Sequence, residues 1–288
     1  MKPAPFAYHD PSTVDELMGL LAEKENARLL AGGQSLMPML NMRYAMPDHL
    51  IDLNGIGALA GVADGGEAVE IGAMTRQRDL LGSAPAAGRF PILAEALAHV
   101  GHFQTRNRGT VGGSLCHLDP SAELPCVAAA ADAVLVVRGL EGEREVAMAD
   151  WPAGYMTPSL AADEALIGIR LPASAALDGQ AFVEFARRHG DFAIVGVAAM
   201  LSLEGDTIRR ASIAVAGVAS HPVSLAEVEA ALVGEAANEA TFRAAAGEAR
   251  GIEAMSDAYV SGKYRQRLTG VLVERALAKA AERAGEAA

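Results

Sequence analysis

Cysteine is scarce in this chain: Cys116 and Cys126 are the only two in 288 residues, and they do not form a C-x-x-C pattern. That scarcity argues against a disulfide framework or a thiolate zinc site and rules out four-cysteine ligation of a [2Fe-2S] cluster. Long apolar runs are missing as well. The longest are cut by Asp, Arg or Gly, so none reaches the length of a membrane span. The opening Met1-Lys2-Pro3-Ala4-Pro5 holds no apolar signal core, and a cytoplasmic protein is expected. Basic residues are outnumbered 24 to 36, which leaves a net charge of −12 and argues against nucleic-acid binding. Only Arg187-Arg188-His189 and residues 263–267 are locally basic. No triad surrounds His102 or His189, no Gly-Lys-Ser/Thr follows a glycine-rich loop, and no G-x-G-x-x-G occurs. We therefore expect no catalytic residue and no metal ligand on this chain. Hydrophobic content of 51% with 21% charged residues fits a globular protein of one large or two to three small domains.

Two glycine pairs stand out against these absences. Ala31-Gly32-Gly33-Gln34-Ser35 follows a strand-like run at 27–30 and precedes a short helical run at 36–40, and Thr110-Val111-Gly112-Gly113-Ser114 repeats its small-residue, hydroxyl-ended pattern. Glycine admits φ > 0 and lets bare N–H groups approach a ligand, and the hydroxyl adds a neutral donor; such loops suit phosphate. One pair alone reads as a tight turn. Two, flanking an α/β segment, point to a dinucleotide held in neither the Walker nor the Rossmann manner.

Along the chain, Ser12-Thr13 before Asp15-Glu16 opens a helix with Val14, Leu17, Met18 and Leu21 on one face. Strands are expected at 47–53 and 68–73, a helix from near Thr75, and another at 92–100 after Pro91. Residues 101–109 are polar without a regular period and read as a binding loop. A helix capped by Ser121 and running to Ala131 follows, with Glu123 in its first turn, then strands at 133–137, 145–148 and 165–171. After the small, polar stretch 173–179 come three strand-like runs, 181–187, 193–203 and 207–218, separated by His189-Gly190-Asp191 and Glu204-Gly205-Asp206. Helices at 225–232, 239–249 and 262–284 close the chain, an α+β arrangement.

Several segments carry a resemblance in order: Ala31 to Leu36, Arg106-Asn107-Arg108-Gly109-Thr110-Val111-Gly112-Gly113-Ser114, Asp119-Pro120-Ser121-Ala122-Glu123-Leu124-Pro125, and Arg187-Arg188-His189-Gly190-Asp191-Phe192-Ala193. The chain resembles, nearly end to end and including Tyr264-Arg265, the medium, FAD-binding subunits of molybdenum hydroxylases, the carbon monoxide dehydrogenase and xanthine dehydrogenase family. The resemblance implies an α+β protein: two small N-terminal α/β subdomains (1–56 and 57–176) forming a PCMH-type FAD-binding domain, and a C-terminal domain (177–288) with a three-stranded antiparallel sheet and helices. It implies that Ala31, Gly32, Gly33, Gln34 and Ser35, with Leu36 following, hold the FAD pyrophosphate. Thr110, Gly112, Gly113 and Ser114 would extend the cradle toward the ribityl chain, near Glu123. The backbone of Leu160 would meet the flavin, His102 heads a loop near the ring, Arg187 or Arg188 would supply positive charge, and Phe192 would stand by the isoalloxazine face. Ser114 replaces a frequent Asn, Phe192 a frequent Tyr, and His102-Phe103-Gln104-Thr105-Arg106 a frequent His-Pro-Gln-Ile-Arg.

The function implied is an electron-transfer subunit. A large partner would carry the molybdenum cofactor and a small one the [2Fe-2S] clusters, as a dimer of heterotrimers, with FAD here delivering electrons to an external acceptor. Two other readings stay open: a self-sufficient FAD oxidoreductase acting on its own substrate, and a scaffold subunit with a degenerate loop. Glu123 also fits a plain helix N-terminal acid, and Cys116 a small buried hydrophobe.

Overall fold

The computed structural model describes residues 1–287. The first unit consists of β1 (Ala7–His9), α1 (Val14–Glu23), β2 (Ala27–Leu30), α2 (Leu36–Asn41) and β3 (His49–Asp52). Its sheet, ordered β1-β3-β2, is parallel throughout. Thr13 caps α1 by accepting from Glu16 N, while the Glu16 carboxylate accepts from the N–H and hydroxyl of Ser12. The buried stripe Leu17, Met18 and Leu21 packs with Ile51, Leu53 and Ile56.

The second unit begins with β4 (Val62–Asp64), β5 (Ala68–Gly72), α3 (Gln77–Leu81), α4 (Ala84–Arg89) and α5 (Ile92–His99). Next come α6 (Phe103–Arg108), α7 (Val111–His117), α8 (Glu123–Ala130), β6 (Val134–Gly139) and β7 (Gly142–Ala147). A two-stranded ribbon, β8 (Pro152–Gly154) with β9 (Thr157–Pro158), and β10 (Ala165–Pro172) complete it. The main sheet, β4-β5-β10-β6-β7, is antiparallel. Trp151 is fully buried here, and its indole N–H donates to Leu115 O at 2.8 Å.

The third unit has β11 (Gly179–Phe185), β12 (Val195–Glu204), β13 (Thr207–Ala216) and β14 (Val223–Ser224), then α9 (Ala226–Leu232), α10 (Glu239–Ala249) and α11 (Gly262–Ala287). Its sheet is antiparallel with four strands, not the expected three. The fourth is a two-residue edge that pairs through Ala214 and Val215, too short to give an alternating sequence signal. Residues 195–201 of β12 and 213–216 of β13 read as unbroken apolar runs because both faces are covered there. Ala181, Val197, Ala199, Leu201, Ile213 and Val215 pack under the C-terminal helices, while Phe182, Ala198, Met200, Ala214 and Ala216 join the core of the second unit.

Three local expectations are corrected. Residues 103–108 form α6 rather than a structureless loop, and 110–114 form the cap and first turn of α7 rather than an open turn. Neither helix exceeds seven residues, too short for a period to stand out. The cap of α8 is Ala122; Ser121 N instead donates to Asp119 Oδ1, an Asx turn that uses up the approach to the helix.

Candidate functional site

β2 delivers Ala31 into a turn where Gly33 has φ +72°, a region that costs an L side chain about 1–2 kcal/mol. Gly32 is needed for proximity: a Cβ there would lie 2.3 Å from the Arg108 carbonyl oxygen. Gln34 Nε2 donates back to Gly32 O at 3.1 Å, and Met37 N to Gly33 O at 3.2 Å. Ser35 opens α2 without a side-chain capping bond. Among the described residues, none accepts from the backbone N–H groups of Gly33, Gln34, Ser35 and Leu36. A run of free N–H groups in such a turn is an anion nest.

The second motif is built differently. Thr110 Oγ1 caps α7 by accepting from Gly113 N at 3.0 Å, Val111 N donates to Thr75 O at 3.0 Å, Gly112 N to Ala73 O at 2.8 Å and Ser114 N to Thr110 O at 3.2 Å. Its donors are thus committed within the chain. Its glycines are helical and serve close packing. A Cβ on Gly112 would lie 2.6 Å from Ala73 Cβ and 2.8 Å from Ala73 O, and one on Gly113 would lie 2.7 Å from Thr110 Oγ1, with Ala31 Cβ at 3.6 Å. The two motifs therefore meet along Gly32 with Arg108–Gly109 and Ala31 with Gly113. The half-buried Ser114 hydroxyl has no partner among the described residues and completes the rim.

Asn54 and Arg76 brace this junction, and sequence reasoning missed both. Asn54 Nδ2 donates to Ala31 O at 3.1 Å, and the Arg76 guanidinium donates to Arg108 O and to Asn54 Oδ1. Burial, then the nearby Arg108 charge, lowers the Arg76 pKa. A cleft of about 500 Å³ opens beside the brace, lined by Leu53, Asn54, Thr75, Arg76, Asp79 and Ser83. The available signal was the Asx turn at the end of β3, where Asp52 Oδ1 accepts from Asn54 N at 2.9 Å.

Glu123 sits at the start of α8, buried, on a segment anchored to the third unit by the bond from Gly217 N to Pro120 O at 2.8 Å. Burial raises its pKa to about 7, with Asp119 adding to the effect. The turn after β11 folds back over α6: a Cβ on Gly190 would touch His102 Cε1 at 2.8 Å, and the His102 and His189 rings are 6.4 Å apart. Phe192 on this turn is 76% exposed. Arg187 lies over the Tyr259 ring at 5.0 Å, and Arg188 Nε reaches Asp191 at 3.3 Å, so both exposed cations already have partners. Leu160, half-buried against the second unit's core, donates its N–H to Pro158 O at 2.9 Å. The structure thus joins residues 31–36 to 109–114, sets His102 under the 187–192 turn, and places Leu160 just past β9, whose ribbon packs against α7. Burial pushes the thiols of Cys116 and Cys126 up to about 12, which makes both inert.

A nest of free N–H groups beside a glycine-packed wall suits a pyrophosphate, and the exposed aromatic over a polar helix suits a ring system; the residues fit a flavin dinucleotide. Residues 4–174 match the family described as the FAD binding domain in molybdopterin dehydrogenase, and residues 180–280 match the CO dehydrogenase flavoprotein C-terminal domain. The chain is 38% identical over 287 residues to the 6-hydroxypseudooxynicotine dehydrogenase complex subunit alpha of Paenarthrobacter nicotinovorans, covering 99% of this chain and 97% of that one. It is 37% identical to the carbon monoxide dehydrogenase medium chain of Hydrogenophaga pseudoflava, covering 96% and 97%. Among solved structures, quinoline 2-oxidoreductase from Pseudomonas putida matches with a TM-score of 0.95 at 36% identity, over 99% of each chain.

Proposed function

The chain belongs to the FAD-binding medium subunits of the molybdopterin dehydrogenases, and on that premise we propose that it passes electrons from the [2Fe-2S] clusters of a small partner to an external acceptor. A large partner, in this reading, carries the molybdenum cofactor and oxidises the organic substrate. The observation that carries it is the end-to-end likeness to a carbon monoxide dehydrogenase medium chain, 96% of this chain against 97% of that one. A heterotrimer, paired into a dimer, working in the cytoplasm is the assembly we propose; both thiols are free, as a reducing compartment allows.

Bound FAD supplies reversible electron storage, and the protein supplies binding, orientation and electrostatics. In our reading the N–H groups of Gly33 to Leu36 and the Ser35 hydroxyl hold the pyrophosphate. Thr110 to Ser114 form the wall that keeps the nest in shape, with the Ser114 hydroxyl facing the ribityl chain near Glu123. The Leu160 backbone, His102, the Arg187–Arg188 pair and Phe192 border the ring. Phe192, exposed on a turn, excludes water from one ring face once flavin is bound, with an aromatic surface suited to offset stacking. The exposed Phe103 on α6 marks the side where we place the cluster-bearing partner.

The test is composition. The purified chain is expected to hold stoichiometric FAD without iron or acid-labile sulfide, and co-purification from the native host is expected to bring two further subunits. Iron on the isolated chain, or turnover of an organic substrate by it alone, would falsify the reading in favour of a self-sufficient oxidoreductase.

A further inference from the structure

Arg265 sits in the first turn of α11 and is only 4% exposed. Its backbone is fixed there: the N–H donates to Ser261 O at 3.1 Å, and the carbonyl accepts from the buried Thr269 hydroxyl at 2.8 Å. A guanidinium taken out of water is costly unless oxygens converge on it. Three do. Nη1 donates to Ile194 O at 2.6 Å and to Gly217 O, and Nη2 donates to Asp257 Oδ2. Gly217 brings the two carbonyls together: its φ is +82°, and a Cβ there would lie 2.5 Å from Ile194 O. Nε is buried with no hydrogen-bond partner among the described residues, so the three oxygens carry the compensation.

Two of these acceptors lead to opposite arms of the turn between β11 and β12. Ile194 closes its neck by donating its N–H to Phe185 O at 2.8 Å, and Phe192 stands two residues before that neck. Asp257 leads to the other arm. Its Oδ1 accepts from the N–H groups of Tyr259 and Val260 at 2.7 and 2.8 Å, an Asx turn that presents the Tyr259 ring, and the Arg187 guanidinium lies 5.0 Å from that ring's centre. The third acceptor ties in the segment ahead of Glu123, because Gly217 N donates to Pro120 O at 2.8 Å. The turn has few bonds of its own. Asp191 N donates to Arg188 O at 3.1 Å, and the Arg188–Asp191 ion pair is solvent-exposed and contributes little. A segment with so few buried contacts opens easily unless it is anchored from outside.

We infer that Arg265 is a positioning residue for the flavin ring: from inside the third unit it fixes both arms of the 186–193 turn, and so sets where Phe192 and Arg187 stand. The inference rests on the proposed placement of the ring beside this turn. Arg265 acts through Ile194 and Asp257 and makes no contact with the cofactor. Stacking depends on the offset and distance of the aromatic, and the pull of a cation on a ring's electrons depends on its separation, so both need a fixed turn. Lysine is a poor substitute. Its ammonium is a point charge on a flexible stem, whereas the planar fork reaches two carbonyls from one nitrogen and a carboxylate from the other.

The test has an apo and a loaded arm. In the apo chain, Arg265→Lys is expected to speed hydrogen exchange of the Ile194 amide by about tenfold or more, while the amides of residues 197–201 in β12 keep wild-type rates. In the loaded chain, flavin content is expected to stay stoichiometric because the nest at 33–36 is untouched, yet the visible circular dichroism of the flavin changes and its reduction midpoint shifts. Phe192→Ala is expected to alter that dichroism less in the Arg265→Lys background than in the wild type, since the ring is already displaced. Should Arg265→Lys fail to fold, Asp257→Asn decides: its side chain is half exposed, so water replaces the lost ion pair, and the same change of the flavin band is expected. Wild-type exchange at Ile194 in Arg265→Lys, or an unchanged flavin band in the variants, overturns the inference while leaving the FAD site standing. A full, additive effect of Phe192→Ala also overturns it, because Arg265 then acts elsewhere. A wild-type chain that binds no FAD overturns the proposed site and the ring-positioning role together, and the apo exchange rates tell that failure from the first.

Discussion

At Gly33 the chain turns with φ +72° and leaves four successive N–H groups without an acceptor among the described residues; at Gly112 and Gly113 it is helical, and the N–H groups from Val111 to Ser114 all find acceptors within the protein. The same two-letter pattern therefore serves two physical needs. In the first motif glycine supplies a backbone conformation that presents donors. In the second it supplies closeness, because Ala73 lies where a side chain would be. Similar glycine spelling does not imply similar backbone chemistry: one motif presents free donors, and the other packs against the one that does.

The sharpest way to break this comparison is Gly112→Asp. It forces atoms into a space where a Cβ alone would be 2.6 Å from Ala73 Cβ. Overpacking of this kind costs about 1–3 kcal/mol, and burying a carboxylate adds several more. The apo chain is expected to melt far below wild type or fail to fold, as read by thermal unfolding without flavin. An apo variant that melts like wild type removes the packing role.

Gly33→Asp is the mirror experiment. A carboxylate against the pyrophosphate repels it by about 1 to 4 kcal/mol at 4 Å, and the positive φ adds about 1–2 kcal/mol of strain. Flavin is expected to be lost while far-ultraviolet circular dichroism of the apo chain stays near wild type. Stoichiometric flavin in this variant would sink the nest assignment.

Acid should separate the motifs, because the second sits in the unit whose α5 is clamped to α11 through Glu95. Burial alone would raise Glu95, but hydrogen bonds from Arg283, Lys279 and Phe182 N outweigh it and take its pKa from 4.5 to about 2. A depressed folded-state pKa stabilises above the unfolded value, and that stability is lost as pH falls from about 4.5 toward about 2; because Glu95 is only half-buried and solvent screens its ion pairs, the loss is well below the about 3 kcal/mol that the full shift would carry. Hydrogen exchange at Gly112 and Gly113 is expected to accelerate across that window in wild type and to respond less in Glu95→Gln. Identical acid profiles for the two proteins would show that the clamp does not support the second motif.

The smallest effect compares the hydroxyls. In the proposed site Ser35→Ala and Ser114→Ala would each remove one neutral hydrogen bond to FAD, worth about 0.5–1.5 kcal/mol, so each is expected to weaken FAD binding by no more than about tenfold in titration. No change in either would place both hydroxyls away from the cofactor.

Much of this was legible from the residues. The capping residues of α1, the apolar stripe Leu17, Met18 and Leu21, and the ordered glycine motifs are local patterns, set by neighbours within a few positions. α6 and β14 were not, because six residues and two residues carry too little period to read. Ser121 looked like a cap by type, yet its approach was taken by an Asx turn at Asp119.

By itself the sequence determined the class of the protein: where most of the longer helices and strands lie, that two glycine pairs recur with hydroxyl endings, and that too few cysteines exist to hold a four-cysteine cluster. These follow from composition and short-range spacing, which need no knowledge of distant partners. The tertiary structure alone decided which glycine pair keeps free donors, that Asn54 and Arg76 brace the junction, and that Glu184, beside His99, buries an Oε2 with no hydrogen-bond partner among the described residues. Each of those depends on groups 22 to 85 positions apart brought within a few ångströms, and burial and hydrogen-bond satisfaction are properties of that packing rather than of any segment.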